Sequence, residues 1–148
     1  MSALRRIQRD SAKEELVKQL TTGDSAVFKE IWRLLLFAAS LGIHAKRRKP
    51  LEKVDSGKAM PETYFSAPAW KGLLYLISLV ETDDSECLRS SEEAKDALVT
   101  AFEEYANSGL EIIETKMATS VSHLDDLVSL VLEAPTTESK QANVVDLI

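Results

Sequence analysis

Cysteine, histidine and glycine are scarce in this chain, and each shortage removes a class of chemistry. There are 1 Cys, 2 His and 5 Gly in 148 residues. The single Cys87 has no partner for an intramolecular disulfide, which points to a reducing compartment. Its neighbours are acidic, which raises a thiol pKa and leaves it inert rather than nucleophilic. His44 and His123 lie far apart, and no Cys/His pair has ligand spacing, so a zinc site is not expected. There is no Gly-x-Gly fingerprint and no Walker lysine, so a phosphate cradle and a bound cofactor are not expected either. No apolar run follows Met1-Ser2-Ala3-Leu4-Arg5-Arg6, as a secretory signal would require. The longest uncharged stretch, Leu34 to Ile43, is half of the roughly 20 residues that a membrane span needs. The expectation is a cytoplasmic protein with no membrane contact.

What is present suits one soluble domain. Apolar residues make up 45%, enough for a continuous core, and charged residues 28%. The net charge of −6 conceals an asymmetry. Met1 to Lys58 holds 13 Lys and Arg against 7 Asp and Glu, whereas Ala59 to Ile148 holds 5 against 17. Opposed faces of this kind favour a charged partner or head-to-tail self-association; the alternative is that the two halves neutralise each other across the surface.

Periodicity predicts an all-α, mainly helical fold of about five helices, compact around a buried central helix with one long basic loop. Residues 1–10 read as a loosely docked basic end, 11–134 as one helical domain and 135–148 as a flexible tail. The first helix spans Ser11 to Leu20, where Ser11 and Glu14 have capping-box spacing. The second starts at an Asp24/Ser25 cap and ends near Gly42. Its centre, Ile31 to Ala39, is apolar on nearly every side, so it belongs in the middle of the fold. The connection His44 to Phe65 is long for a compact domain, which marks it as a functional candidate, with short extended pieces around Met60 to Phe65. Trp70, Leu73, Leu74, Ile77 and Val80 line one face of a third helix beginning at Ser66. Ala94, Ala97, Leu98, Ala101, Phe102 and Tyr105 form one stripe of a fourth, which either continues through Gly109 or breaks at Asn107-Ser108-Gly109. A last helix, Ser122 to Glu133, offers Leu124, Leu127, Val128 and Val131 to the core. The apolar end Val144 to Ile148 on its polar tether suits docking into a partner, or is a frayed terminus.

No catalytic group assembles from these elements. Ser122 and His123 are adjacent, and adjacent helical side chains point apart, so Asp125 and Asp126 do not complete a triad. Glu114-Thr115-Lys116 has the spacing of some metal-dependent nucleases, but only on a strand; two residues on a helix are about 200° apart. The remaining constellation is Lys46, Arg47, Arg48 and Lys49, which Lys53, Lys58, Arg5, Arg6 and Arg9 can join. Such cations grip a nucleic-acid backbone, or else serve as salt-bridge partners for the acidic region Glu81 to Glu104. No base-reading element accompanies them, so any DNA contact would be to phosphate.

Two segments resemble a known family. One is Phe28-Lys29-Glu30-Ile31-Trp32-Arg33-Leu34-Leu35-Leu36-Phe37-Ala38-Ala39-Ser40-Leu41-Gly42, followed by Lys46-Arg47-Arg48-Lys49-Pro50-Leu51. The other is Glu103-Glu104-Tyr105-Ala106-Asn107-Ser108-Gly109-Leu110, with Leu124-Asp125-Asp126-Leu127-Val128 after it. Together they look like a small family associated with the bacterial Dnd systems, which put sulfur into the DNA backbone and restrict unmodified DNA. The resemblance runs from Phe28 to Glu133 and carries no catalytic residue onto this chain. It implies phage defence, and a non-enzymatic accessory or regulatory role in contact with larger modification or restriction proteins. A DNA-backbone binder using Lys46 to Lys49 is the second reading, and a small nuclease the third.

Overall fold

In the computed structural model the described residues are 5–24, 26–64, 72, 77, 92–118 and 123–133. Four α-helices lie among them: α1 (Glu14–Thr21), α2 (Ile31–His44), α3 (Glu92–Met117) and α4 (His123–Leu132). The fold is all-α, as its periodicity predicts. Single 3₁₀ turns at Ser11–Lys13, Ser56–Lys58 and Glu62–Tyr64 punctuate the remainder. Gly72 and Ile77 are helical and Ile77 is buried. The rest of the third predicted helix, Cys87, and the chain beyond Glu133 lie outside the described residues.

The centre of the molecule is the crossing of α2 and α3. Trp32, Leu34, Leu35, Ala38, Ala39 and Gly42 are the buried positions of α2. Opposite them α3 buries Leu98, Val99, Phe102, Ala106, Leu110 and Ile113. Small residues let the two backbones touch. A Cβ on Gly42 would sit 2.2 Å from the Tyr105 carbonyl oxygen, and one on Gly109 would sit 1.7 Å from that of Ala38. Both distances are far inside van der Waals contact, so only glycine fits at either position. This explains why α3 runs unbroken through Gly109. The cost of a mid-helix glycine, about 1 kcal/mol, is offset by backbone packing that no other residue permits. The break at Asn107-Ser108-Gly109 does not occur.

Gly42 is therefore an interior residue and not a C-terminal cap. The helix continues to His44, and the left-handed position falls on Lys46, with φ of 56°. Lys46 N–H donates to the Ile43 carbonyl and Arg47 N–H to that of Gly42, closing a Schellman motif. The start of α2 differs as well. The N–H groups of Val27 and Phe28 both donate to the Leu20 carbonyl, at 3.0 Å each. They finish the turn after α1, so α2 begins only at Ile31, not at Asp24/Ser25.

Residues 5–10 are docked, where a loose basic end was expected. Ile7 is buried and exchanges two 2.8 Å backbone hydrogen bonds with Met60. Asp10, also buried, accepts from Ala12 N–H at Oδ1 and from Glu52 N–H at Oδ2. The Ser11/Glu14 capping box gives way to this Asp10 cap, because Glu14 is occupied elsewhere: it binds Arg9 and Lys58.

Helix α4 buries Leu127 as expected but not Leu124, Val128 or Val131. Asp126 and Leu127 are its buried residues, and Leu130 packs partly against the core. Leu124, Val128, Val131 and Leu132 face outward, 57, 48, 54 and 78% exposed. The outer positions 124, 128 and 131 are spaced four and three apart, so one side of a short helix is an apolar row open to solvent.

Candidate functional site

The cations that looked like one cluster in sequence are divided into three places. At the C-terminal end of α2, the basic loop folds onto the acidic face of α3. Arg48 Nε lies 3.0 Å from Glu104 Oε1, and its guanidinium sits 5.7 Å from the centre of the Tyr105 ring. Lys49 Nζ lies 2.8 Å from Glu111 Oε2, with Arg47 at 3.9 Å from the same oxygen. The close Lys49–Glu111 pairing holds the ammonium pKa above its ordinary value and the carboxyl below. Backbone bonds lock the loop to the same helix. Lys49 N–H donates to the Glu104 carbonyl, and the buried Asn107 amide donates to the carbonyls of Lys49 and Pro50. Three of the four cations are thus held by carboxylates, Glu104 at the edge of the acidic region expected to pair with them and Glu111 beyond it. Lys46 and Lys53 are exposed and form no ion pair among the described residues.

The second place is Arg5, whose guanidinium makes two 2.8 Å contacts to the buried Glu103. That hydrogen-bonded pairing raises the Arg5 pKa against the lowering effect of burial.

The third was not legible in the sequence. Around the N-terminal end of α2 lies a cleft of about 640 Å³. Ile31, Trp32 and Met60 line it with apolar surface, while Arg6, Arg9 and Lys58 bring positive charge. Tyr64, 58% exposed, stands on its lining, and Glu30 is the acidic member. Glu30 makes no cap bond to the helix; it accepts from the Trp32 indole at 2.6 Å and lies 3.3 Å from Arg33. The indole bond, with the Arg33 pairing, keeps the Glu30 carboxyl below its usual pKa. Arg9 and Lys58 share Glu14, whereas Arg6 pairs with no carboxylate among the described residues and donates to the Ala59 carbonyl at 3.3 Å. The cleft assembles from residues 6–9, 30–32 and 57–64, and no single stretch of sequence holds its pattern.

The nuclease pair finds no support in this geometry. Glu114 and Lys116 are on helix α3, and each has its own partner, Lys13 at 3.0 Å and Glu133 at 2.8 Å. The strand that a nuclease pair would need is not there. Ser122 lies outside the described residues; His123 opens α4 with Asp125 and Asp126 in its first turn. Among the described residues no group of three or more His, Cys, Asp or Glu could hold a metal ion. No described helix is long and apolar enough to cross a membrane.

No curated protein and no solved structure matches the chain. One family model does, across residues 6–148, a wider span than the Phe28–Glu133 resemblance and one that takes in the docked N-terminal residues. The chain belongs to the family described as DNA sulphur modification system-associated protein 4.

Proposed function

We propose that this protein is a non-enzymatic accessory component of a DNA sulphur modification and defence system, and that it acts by holding a larger protein of that system. The observation that carries this reading is the outward apolar row of α4, with Leu124, Val128, Val131 and Leu132 each about half exposed or more. Apolar side chains grouped on one helical face, rather than scattered singly, are what a helix-in-groove contact uses. Family membership supplies the partner class, the other proteins of the modification system. Burial of one such side chain contributes roughly 1.5–3 kcal/mol, so this row can anchor a complex without any polar network.

The test is co-purification from cells that express the modification and restriction proteins together with this one. The wild-type chain is expected to be retained at near-physiological salt, and Leu124→Asp/Val128→Asp to be lost. The variant's melting temperature should be unchanged, because neither side chain is in the core. Retention of the variant would end the reading.

A DNA-backbone role for the basic loop has one observation in its favour. Lys46 is held in the left-handed conformation that glycine normally supplies, so its side chain is kept at a local cost of about 1–2 kcal/mol. Against it, Arg47, Arg48 and Lys49 are drawn onto α3. Lys46→Ala/Lys53→Ala distinguishes the two. Weaker duplex binding with a smaller salt slope favours the DNA role; unchanged binding leaves the protein-contact reading.

A further inference from the structure

We infer that the cleft at the N-terminal end of α2 is a binding site for a nucleobase attached to phosphate, as in a free nucleotide or a single strand. The site is separate from the α4 face and from the basic loop. Three observations converge on it. Its volume, about 640 Å³, is within the range of small-ligand pockets. Its charge is sorted: Arg6, Arg9 and Lys58 are the cations of the lining, and Glu30 lies beside Trp32. Its aromatic groups occupy different situations. Trp32 is nearly buried, hydrogen-bonded through its indole N–H and covered by Arg33 at 4.8 Å, so it forms a fixed wall. Tyr64 is 58% exposed and offers a ring on which a base can stack.

These features give the ligand a direction. Glu14 already neutralises part of the charge on Arg9 and Lys58, whereas among the described residues the Arg6 guanidinium binds a neutral carbonyl and no carboxylate. The phosphate therefore lies at Arg6, with Lys58 assisting, and Glu30 keeps it from the Trp32 side. The base is placed against Tyr64. Cations tracking phosphate beside an aromatic platform are the arrangement by which proteins hold unpaired nucleotides without reading sequence. A simple phosphate ion would use Arg6 and leave the tyrosine idle, so the aromatic side separates the two ligand types.

The experiment is fluorescence anisotropy of a labelled single strand of about four nucleotides, too short to reach Lys46 from the cleft, with the full-length protein and with AMP and inorganic phosphate as competitors. Tyr64→Ala and Arg6→Ala/Lys58→Ala are compared with Lys46→Gln/Lys53→Gln as a control on the other basic region. Trp32 is left intact because its removal would open the core. The expected result is binding that Tyr64→Ala weakens at least about fivefold, the low end of a lost base stack. Arg6→Ala/Lys58→Ala should weaken it about tenfold or more and reduce the salt slope. The control should bind as wild type. Displacement by AMP well below the concentration needed for phosphate identifies a mononucleotide site; binding of the strand that AMP does not displace identifies a strand site. Both outcomes support the cleft. It is overturned if neither ligand binds, if AMP and phosphate compete equally, or if only the control variant loses affinity. None of these outcomes depends on partner capture by α4, so the two proposals fail separately.

Discussion

At the scale of single residues, Asp10 shows how a short polar side chain positions a long loop. It caps the first helical turn through Oδ1 and holds the start of the 52–58 segment through Oδ2. Burial pushes its carboxyl pKa up. Hydrogen bonds from the N–H groups of Glu52, Ala12 and Lys53, with the charge of Lys13, outweigh that and hold it below its ordinary 3.8. A depressed carboxyl contributes stability that is complete above the unfolded value and is lost as pH falls through the folded one. Asp10→Ala should therefore cost about 2–3 kcal/mol at pH 7, from two hydrogen bonds to a charged acceptor. It should also flatten the acid decline below the ordinary value of 3.8. Urea unfolding at several pH values measures both. The Ser11/Glu14 spacing was a reasonable sequence signal for a cap. What overrode it were partners 42 and 44 positions away, which no local spacing reveals.

At the scale of helices, the α2–α3 crossing depends on two glycines whose neighbours are backbone atoms and cannot move aside. Gly109→Ala brings a better helix former, worth about 1 kcal/mol, against an overlap that places its Cβ 1.7 Å from the Ala38 carbonyl oxygen. The overlap wins, because relieving it means separating the two central helices. A loss of about 3 kcal/mol or more, in the range of severe core overpacking, is expected, read as a lowered melting temperature. Retained stability would mean that α2 and α3 pack less closely than described. The identity of these helices was legible from their apolar periodicity, and so was the central place of α2. Their ends were less so. Gly42 looked like a cap because glycine favours that position, yet close packing claimed it first and the left-handed turn passed to Lys46. The inner side of α4 was legible in part: Leu127 is in the core as expected, but an apolar row says only that something covers it, and Asp126 and Leu130 lie inward in place of Leu124, Val128 and Val131.

At the scale of the whole molecule, the opposite charges of the two halves meet. Arg5 pairs with Glu103, Lys13 with Glu114, Arg48 with Glu104 and Lys49 with Glu111, so the basic first third is laid along one acidic helix. The net charge of −6 works against compaction, while these contacts favour it. The contacts are close and the excess charge is spread, so salt should screen away more attraction than repulsion. Unfolding stability is expected to fall by about 1 kcal/mol between low and half-molar salt, measured by urea titration. A rise would show that the general repulsion dominates. The sequence disclosed the imbalance between the halves but not its resolution, since pairing across 56 to 101 positions depends on which helix the N-terminal residues lie against.

Helix α2 also sets a distance. It has the cleft at its first turn and the left-handed Lys46 just past its last. Its 14 residues make a rod of about 21 Å at 1.5 Å per residue, and the glycine contacts seat it directly on the backbone of α3. The two positively charged regions are therefore fixed marks on a ruler. At about 3.4 Å per phosphate in a stacked strand, six or so nucleotides are needed to reach from one mark to the other. A shorter strand can occupy one end alone, and affinity should step upward at the length that first touches both.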